Sequence, residues 1–419
     1  MEEAKLCNCQ GKRVILFIYL PFLMNLFVVK QAGFNLAYLI FALQIIVFAR
    51  SAGRRIHLCR RQGFLAFLFL VLFSLSLTSS LVSLMTWEVF RLSLLVYIPI
   101  FLLLILIWAD NHPQETFKAL SVLQMWLGTL LSAYGIFLSL FGQIGYVANH
   151  AVQMFSFGPL RIYQVIMGMP PYFRIASLTS NPNSLGMVLM VSQMSSLYLY
   201  KASLISRRTF IIAYLLQIAG LVLTQSRNAM ASTLLMLVIF HMLDSRKVVG
   251  RIKVLLLTLL MAAIGYYVLL SDRITAVSRF GDGLSYRDEA WTVLFHKIAS
   301  DPLLGIGFGV SGETLLSSGI AAHNIFLNIT SEVGLLGLIV FLVIWGLGIA
   351  NAYRGIISRK SAPDVSRIYE TIFSILVSLV FHQMFENKLL VYDYFMFFWV
   401  YLVSFPQPIS VNQGAHLLE

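Results

Sequence analysis

The feature that most limits how this chain can fold is a series of long apolar runs. A run of about 17–25 apolar residues is long enough to cross a bilayer as a helix. Of the 419 residues, 59% are apolar and 11% are charged, a composition that excludes a soluble enzyme, a disordered chain and a fibrous repeat. We therefore predict an all-α polytopic membrane protein, one integral membrane domain over residues 1–419 with about 12 transmembrane helices. The runs cover residues 14–30, 33–49, 63–82, 91–109, 119–141, 184–200, 209–225, 229–243, 254–270, 324–353, 368–385 and 391–405.

The basic residues predict the orientation of these helices. The 30 Lys and Arg exceed the 18 Asp and Glu and give a net charge of +12. Most of them cluster in four short segments, at residues 50–61, 201–208, 246–253 and 354–367. Short basic loops stay in the cytoplasm, so we expect both chain termini there as well. The positive excess is thus explained by topology and indicates no nucleic-acid partner.

Two connections on the opposite, outer face are long: a first loop at residues 142–183 and a second at residues 271–322. Because basic loops flank residues 209–243 on both sides, this stretch is predicted to be a helical hairpin that breaks at residues 224–228. In the second loop, the i, i+3, i+4, i+7 spacing of Trp291, Leu294, Phe295 and Ile298 predicts a short amphipathic helix from Arg287 to about Asp301.

A glycine motif follows that helix, at Gly305-Ile-Gly-Phe-Gly309. A dinucleotide-binding loop would need a preceding strand and a following helix start, and the sequence has neither. We therefore expect a flexible turn that joins the loop to the membrane.

Several ionisable residues break the rule that positive charge stays inside. They are Arg174, Arg227, Arg279, Arg287 and His323. Arginine binds phosphate oxygens with two parallel hydrogen bonds and keeps its charge near lipid, and histidine can take a proton near neutral pH. This set suits a lipid-linked pyrophosphate substrate. The outer segments contain no Asp-x-Asp or His/carboxylate cluster, so we predict that no metal is bound and that arginine supplies the positive charge.

Four segments between Arg174 and Tyr353 resemble motifs of the O-antigen ligase and O-antigen polymerase family, the bacterial membrane glycosyltransferases of surface polysaccharide synthesis. The last of them, His323-Asn324 followed after nine residues by Gly334-Leu-Leu-Gly337, is the most specific. The others are Arg174 with Asn181-Pro-Asn183, then Leu223-Thr-Gln-Ser-Arg-Asn-Ala229, and Arg287-Asp-Glu-Ala-Trp291 with Pro302 and Gly305–Gly309.

The resemblance implies a GT-C-like helical fold in the bacterial inner membrane and a metal-independent transfer without a cofactor. The implied donor is a glycan on undecaprenyl pyrophosphate, and the implied acceptor is a glycan or the lipid A core. By the same resemblance, Arg227 and Arg287 bind the pyrophosphate and His323 activates or holds the acceptor hydroxyl. The further substrate-binding candidates are Arg174, Arg279, Asn324 and Glu386.

Three alternatives stay open at this point. Ligase and polymerase share these motifs, so the acceptor is undecided. A lipid-linked glycan flippase or transporter also has many spans, although it is expected to show two related halves and charges along a central path. A peptidoglycan polymerase of the shape, elongation and division type has a similar donor, although its motifs are not found.

Overall fold

The computed structural model describes residues 2–26, 36–50, 59–82, 87–147, 150–158, 160–168, 173–244, 287–310, 323–358 and 362–406. Helices dominate these residues. They are α1 (Glu2–Tyr19), α2 (Leu36–Ala49), α3 (Arg60–Val82), α4 (Trp87–Trp108), α5 (Pro113–Phe141), α6 (Pro182–Lys201), α7 (Arg207–Thr224), α8 (Arg227–Asp244), α9 (Arg287–Ser300), α10 (Ile325–Ser358), α11 (Pro363–Gln383) and α12 (Tyr394–Val403), and a 3₁₀ helix, Leu20–Asn25, follows α1.

Six of the described helices are long and apolar enough to cross a membrane: α3, α4, α5, α7, α10 and α11. Shorter apolar helices are α2, α8 and α12. Each predicted span overlaps one of the helices except residues 254–270, which lie outside the described residues. The chain is thus a mostly helical membrane protein with several spans, while the number of 12 spans stays a prediction.

The core of the bundle is built around α12, whose ten residues are all buried. A helix that is apolar on every side needs neighbours on every side. The ring of Trp399 packs against Phe341 and Trp345 of α10 at centroid distances of 5.2 and 5.7 Å. These contacts place α12 in the middle of the bundle, between α10 and the N-terminal helices.

Helices α5, α6 and α7 pack closely because small residues face each other. A Cβ on Gly128 of α5 would lie 2.3 Å from Ser192 of α6, and a Cβ on Gly220 of α7 would lie 2.4 Å from Ser132 of α5. Close approach through small residues is typical of helices in lipid. The buried amide of Gln217 joins α7 to α5 through hydrogen bonds to Met125 O (3.0 Å) and Thr129 Oγ1 (3.1 Å). This group of helices carries the segments that enter the site.

The first long loop contains a sheet, which corrects the prediction of an all-α chain. Strands β1 (Gln143–Val147), β2 (His150–Phe157), β3 (Leu160–Met167) and β4 (Arg174–Ile175) pair in the order β1-β2-β3-β4, and every pair is antiparallel. The sequence of β2 alternates between its two faces, and Gly158 (φ 59°) supports the reversal into β3. Long apolar runs do not indicate such a sheet, because strands are short and their side chains alternate between two faces.

The predicted break within residues 209–243, which divides the stretch into two helices, is confirmed. Helix α7 ends at Thr224 and α8 begins at Arg227. Between them, Gln225 adopts the left-handed conformation (φ 48°, ψ 31°), which ends a helix by redirecting the chain. The reversal brings Arg227 to the first position of a helix rather than the middle of one.

Candidate active site

Most of the ionisable residues predicted to form the site line a single cavity. It has a volume of about 240 Å³. Arg174, Arg227, Arg287 and His323 all line it. Its other lining residues are Met167, Asn181, Asn183, Gln225, Ser226 and Asn228. The cavity therefore joins segments that lie far apart in the sequence and carries an excess of positive charge.

Four helices begin at this cavity. Arg227 is the first residue of α8 and Arg287 is the first residue of α9, while Asn183 lies in the first turn of α6 and His323 lies two residues before α10. The first N–H groups of a helix lack partners within it, and the helix dipole is positive at this end. The first N–H groups of α6 and α10 are taken by the caps Asn181 and Asn324, so these two starts contribute the helix dipole rather than open donors. The dipoles add to the charge of the arginines and favour an anion.

Arg174 is held rigidly at the wall of the cavity. It lies in β4 and is 7% exposed. Its Nε donates to the carbonyl of Thr224 at 2.9 Å and its Nη2 donates to Asn183 Oδ1 at 2.6 Å. Because Thr224 is the last residue of α7, the guanidinium also compensates the negative end of that helix. Arg174 thereby fixes the sheet, α7 and α6 relative to each other.

The turn that carries Arg227 is stabilised by its polar neighbours. Thr224 Oγ1 accepts the backbone N–H of Ser226 at 3.1 Å. Asn228 Nδ2 donates to the carbonyl of His382 in α11 at 2.7 Å. These bonds pin both sides of the turn, so the start of α8 keeps its position at the cavity.

Glu386 connects three of the cavity residues. Its Oε1 accepts a hydrogen bond from Asn183 Nδ2 at 2.6 Å and lies 3.8 Å from Arg287 Nη2, and its Oε2 lies 3.3 Å from His323 Nδ1. The carboxylate is 2% exposed. A buried carboxylate needs such partners, because an unpaired charge away from water is costly.

These contacts keep Glu386 ionised. Burial alone raises the pKa of a carboxyl group, but the hydrogen bond and charge of His323, together with the charge of Lys388, outweigh that effect. The pKa of Glu386 falls from 4.5 to about 2. An ionised carboxylate only accepts hydrogen bonds, so Nδ1 of His323 must carry the proton in their contact. The other ring nitrogen, Nε2, is then a base when the imidazole is neutral.

The backbone at His323 is in a rare conformation, with φ at 47°. Immediately after it, Asn324 caps α10, because its Oδ1 accepts the N–H groups of Phe326 (3.0 Å) and Leu327 (3.1 Å). Asn324 itself does not line the cavity. Its amide oxygen holds the helix start next to His323.

The backbone of the glycine motif is hydrogen-bonded to α10 at a break in that helix, so the prediction of a flexible turn is wrong. Helix α10 is interrupted at Gly334 (φ 76°, ψ −179°). The carbonyls of Ser331 and Glu332, freed by the break, accept the N–H groups of Ile306 (2.8 Å) and Gly307 (3.0 Å), and Leu335 N–H donates to Pro302 O (2.8 Å). We call this contact, between residues 302–307 and residues 331–335, the clasp.

Two glycines permit the clasp. A Cβ on Gly305 would lie 2.6 Å from the carbonyl carbon of Glu332, and a Cβ on Gly334 would lie 2.0 Å from Leu303 O. Both residues also have positive φ, at 73° and 76°. The clasp joins the end of α9 to the first part of α10. Since α9 begins at Arg287 and α10 follows His323, it fixes these two residues relative to each other.

Four of the seven predicted site residues line the cavity, Glu386 contacts them, and Asn324 caps α10. Arg279 lies outside the described residues. Asn183 was missed as a site residue although it bridges Arg174 and Glu386. Its signal was the Asn181-Pro-Asn183 sequence, whose first Asn caps α6 as predicted.

Among the described residues, no three His, Cys, Asp or Glu side chains are grouped so that they could hold a metal ion.

Comparison with known families gives a match, which covers part of the chain. Residues 212–342 match the family described as O-Antigen ligase. The matched region contains Arg227, Arg287, His323 and the clasp, whereas Arg174 and Glu386 lie outside it. No curated protein matches the sequence. The family match confirms, over residues 212–342, the resemblance carried by the sequence motifs.

Proposed function

We propose that the chain transfers a glycan from undecaprenyl pyrophosphate to a sugar hydroxyl of an acceptor at the periplasmic face of the bacterial inner membrane, without a metal ion. The observation that carries the proposal is the positive cavity, where Arg174, Arg227 and Arg287 meet four helix starts. A pyrophosphate at the membrane surface is the anion that such a cavity suits, because its lipid tail stays in the bilayer while its oxygens need several donors.

The arginines have separate roles in this reaction. Arg227 and Arg287 hold the pyrophosphate and stabilise the charge that grows on it as it leaves, the role that a divalent cation has in many other phosphate enzymes. Arg174 is already bonded to Thr224 and Asn183, so it supports the cavity wall. Arg279 stays a further candidate from the sequence.

His323 and Glu386 supply the proton transfer. The acceptor hydroxyl oxygen forms a bond to C1 of the donor sugar, and the bond from C1 to the pyrophosphate oxygen breaks with its electron pair going to that oxygen. His323 Nε2 takes the hydroxyl proton. Glu386, ionised and 3.3 Å from Nδ1, keeps the imidazole in the required tautomer and stabilises the imidazolium that forms.

The experiment is complementation of a strain that lacks this protein, read on a glycan gel. Arg227→Ala, Arg287→Ala and His323→Ala should each abolish surface-glycan assembly while the protein still inserts into the membrane. The matched control is Arg208→Ala, an exposed arginine near the start of α7. Normal glycan with all three cavity variants would overturn the proposal.

The same gel decides between the two family activities. A single repeat unit on the lipid core in the deletion strain indicates a lost polymerase, whereas lipid-linked polymer beside a bare core indicates a lost ligase. If the chain were a flippase, its loss would instead leave the lipid-linked substrate on the cytoplasmic side. The location of that intermediate therefore separates transfer from transport, and a lipid-linked donor whose glycan unit carries a peptide would point to the peptidoglycan alternative.

A further inference from the structure

The sheet of the first loop has one face against helix α5. Phe155 of β2 packs its ring edge-on against Phe137 of α5 at a centroid distance of 5.2 Å. Gln164 of β3 donates its Nε2 to the carbonyl of Gly135 at 3.0 Å. Side chains of alternate residues share a face, and the register pairs Gln153 with Gln164. We call this side, which carries Gln153, Phe155 and Gln164, the α5 face.

The α5 face continues beyond the helix as an exposed apolar surface. Phe157 follows Phe155 by two residues, and Ile144 and Tyr146 pair with Gln153 and Ala151 of the same face. Tyr146 is 77% exposed, Phe157 is 76% exposed and Ile144 is 54% exposed. Two aromatic rings and an isoleucine thus lie exposed on one side of β1 and β2. Soluble proteins rarely leave such an apolar patch in contact with water.

This surface is continuous with the membrane-facing side of α5. Helix α5 is a candidate span, and its exposed apolar residues Leu123, Trp126, Leu130, Phe137 and Phe141 follow one helical stripe. Phe137 contacts both Phe141 at 5.2 Å and Phe155 of the sheet at 5.2 Å. The stripe that meets lipid along α5 therefore passes directly onto the α5 face of the sheet.

At the tip of the β2–β3 hairpin, the side opposite Phe157 is polar. Ser156 pairs with Arg161 in the register of β2 and β3, and both residues are exposed. They lie on the other face from Phe155 and Phe157, because the side alternates along each strand. Aromatic rings on one side and a cation on the other are the arrangement of an element that lies at a membrane surface.

We propose that the α5 face of β1 and β2 lies in the lipid head-group region of the leaflet in which α5 ends, with Ile144, Tyr146 and Phe157 inserted among the lipids. The sheet thus connects the bilayer to the cavity. Its far end is the pair Met167 and Arg174, and both residues line the cavity. This contact sets the depth of the cavity wall relative to the head groups.

The test uses nitroxide labels on the full chain in nanodiscs of phosphatidylcholine and phosphatidylglycerol. Cys7, Cys9 and Cys59 are first replaced by serine, and single cysteines are introduced by Tyr146→Cys and Phe157→Cys. Ser156→Cys and Arg161→Cys are the matched controls on the other face. Collisions with oxygen, which concentrates in lipid, should exceed collisions with a water-soluble nickel chelate severalfold at positions 146 and 157, and the order should reverse at 156 and 161.

Two results would overturn the proposal. Nickel accessibility at 146 and 157 equal to that at 156 and 161 would show that the face lies in water, and protection from both reagents would show that protein, such as a second copy of the chain, covers it. If a labelled variant fails to insert, hydroxyl-radical labelling of the unchanged protein in the same nanodiscs decides. Tyr146 and Phe157 should then react as slowly as Phe141, and rapid oxidation of both would contradict the proposal.

Discussion

The Nδ1 atom of His323 lies 3.3 Å from Oε2 of Glu386, across 63 positions of the sequence. The carboxylate is also fixed by Asn183 at 2.6 Å. A histidine that is oriented by a buried carboxylate has one ring nitrogen committed to that contact and the other available for proton transfer. Glu386 is therefore the residue through which the cavity wall positions His323.

Replacing Glu386 by glutamine should slow the transfer strongly. Glutamine keeps the volume but removes the charge, so His323 loses the partner that fixes its tautomer. We expect kcat to fall about 100-fold or more, with a smaller change in KM for the donor. Steady-state rates of the purified protein measure this, with Glu370→Gln, a buried glutamate of α11 outside the cavity, as the control. Unchanged kcat in Glu386→Gln would remove Glu386 from the mechanism.

The stability of the protein should depend on pH through the same residue. The pKa of Glu386 is lowered from 4.5 to about 2, so its contribution is fully present above pH 4.5 and is lost as the pH falls towards 2. Its size is on the order of 3 kcal/mol. The Tm difference between the unchanged protein and Glu386→Gln should be constant from pH 7 to about pH 5 and should shrink by more than half at about pH 3. A difference that stays constant to pH 3 contradicts the lowered pKa.

The clasp should be sensitive to a single methyl group. Gly334→Ala and Gly305→Ala bring a Cβ to within 2.0 and 2.6 Å of backbone atoms at a backbone conformation that alanine disfavours, which costs about 1–3 kcal/mol or more. We expect kcat to fall with little change in KM, because Arg287 and His323 shift relative to each other. Gly346→Ala in the same helix is the control, since nothing lies within 4 Å of its added Cβ. Equal activity of all three variants would show that the clasp does not position the site.

Arg174 should matter for stability as well as activity. Arg174→Ala leaves the carbonyl of Thr224 and the amide oxygen of Asn183 without these hydrogen bonds, a loss of about 1–3 kcal/mol. Arg174→Lys should restore only part of it, because an ammonium lacks the two-pronged geometry. Arg161→Ala, at an exposed position of the same sheet, should change the free energy of unfolding by less than about 0.5 kcal/mol. Thermal unfolding in detergent measures all three, and equal stability of Arg174→Ala and Arg161→Ala would refute the bridging role.

The sequence predicted the parts of the molecule that follow from local patterns. Long apolar runs located the helices, and the basic loops predicted the hairpin that ends α7 before Arg227. The contact between Glu386 and His323 could not be predicted, because it depends on how α10 and the segment after α11 pack. The clasp was missed for a similar reason. Gly305 and Gly334 belong to two separate sequence motifs, and the spacing within each motif does not show that the two backbones meet.

The most direct test of the account is a transfer reaction with the purified chain, a glycan on undecaprenyl pyrophosphate and its acceptor, in the presence of a metal chelator. The account predicts that glycan appears on the acceptor and that undecaprenyl pyrophosphate is released in equal amount, and that Arg227→Ala and Arg287→Ala abolish both products. A reaction that stops in the chelator and resumes with magnesium, or one that both arginine variants still perform, would contradict the claim that arginines at this cavity hold the pyrophosphate.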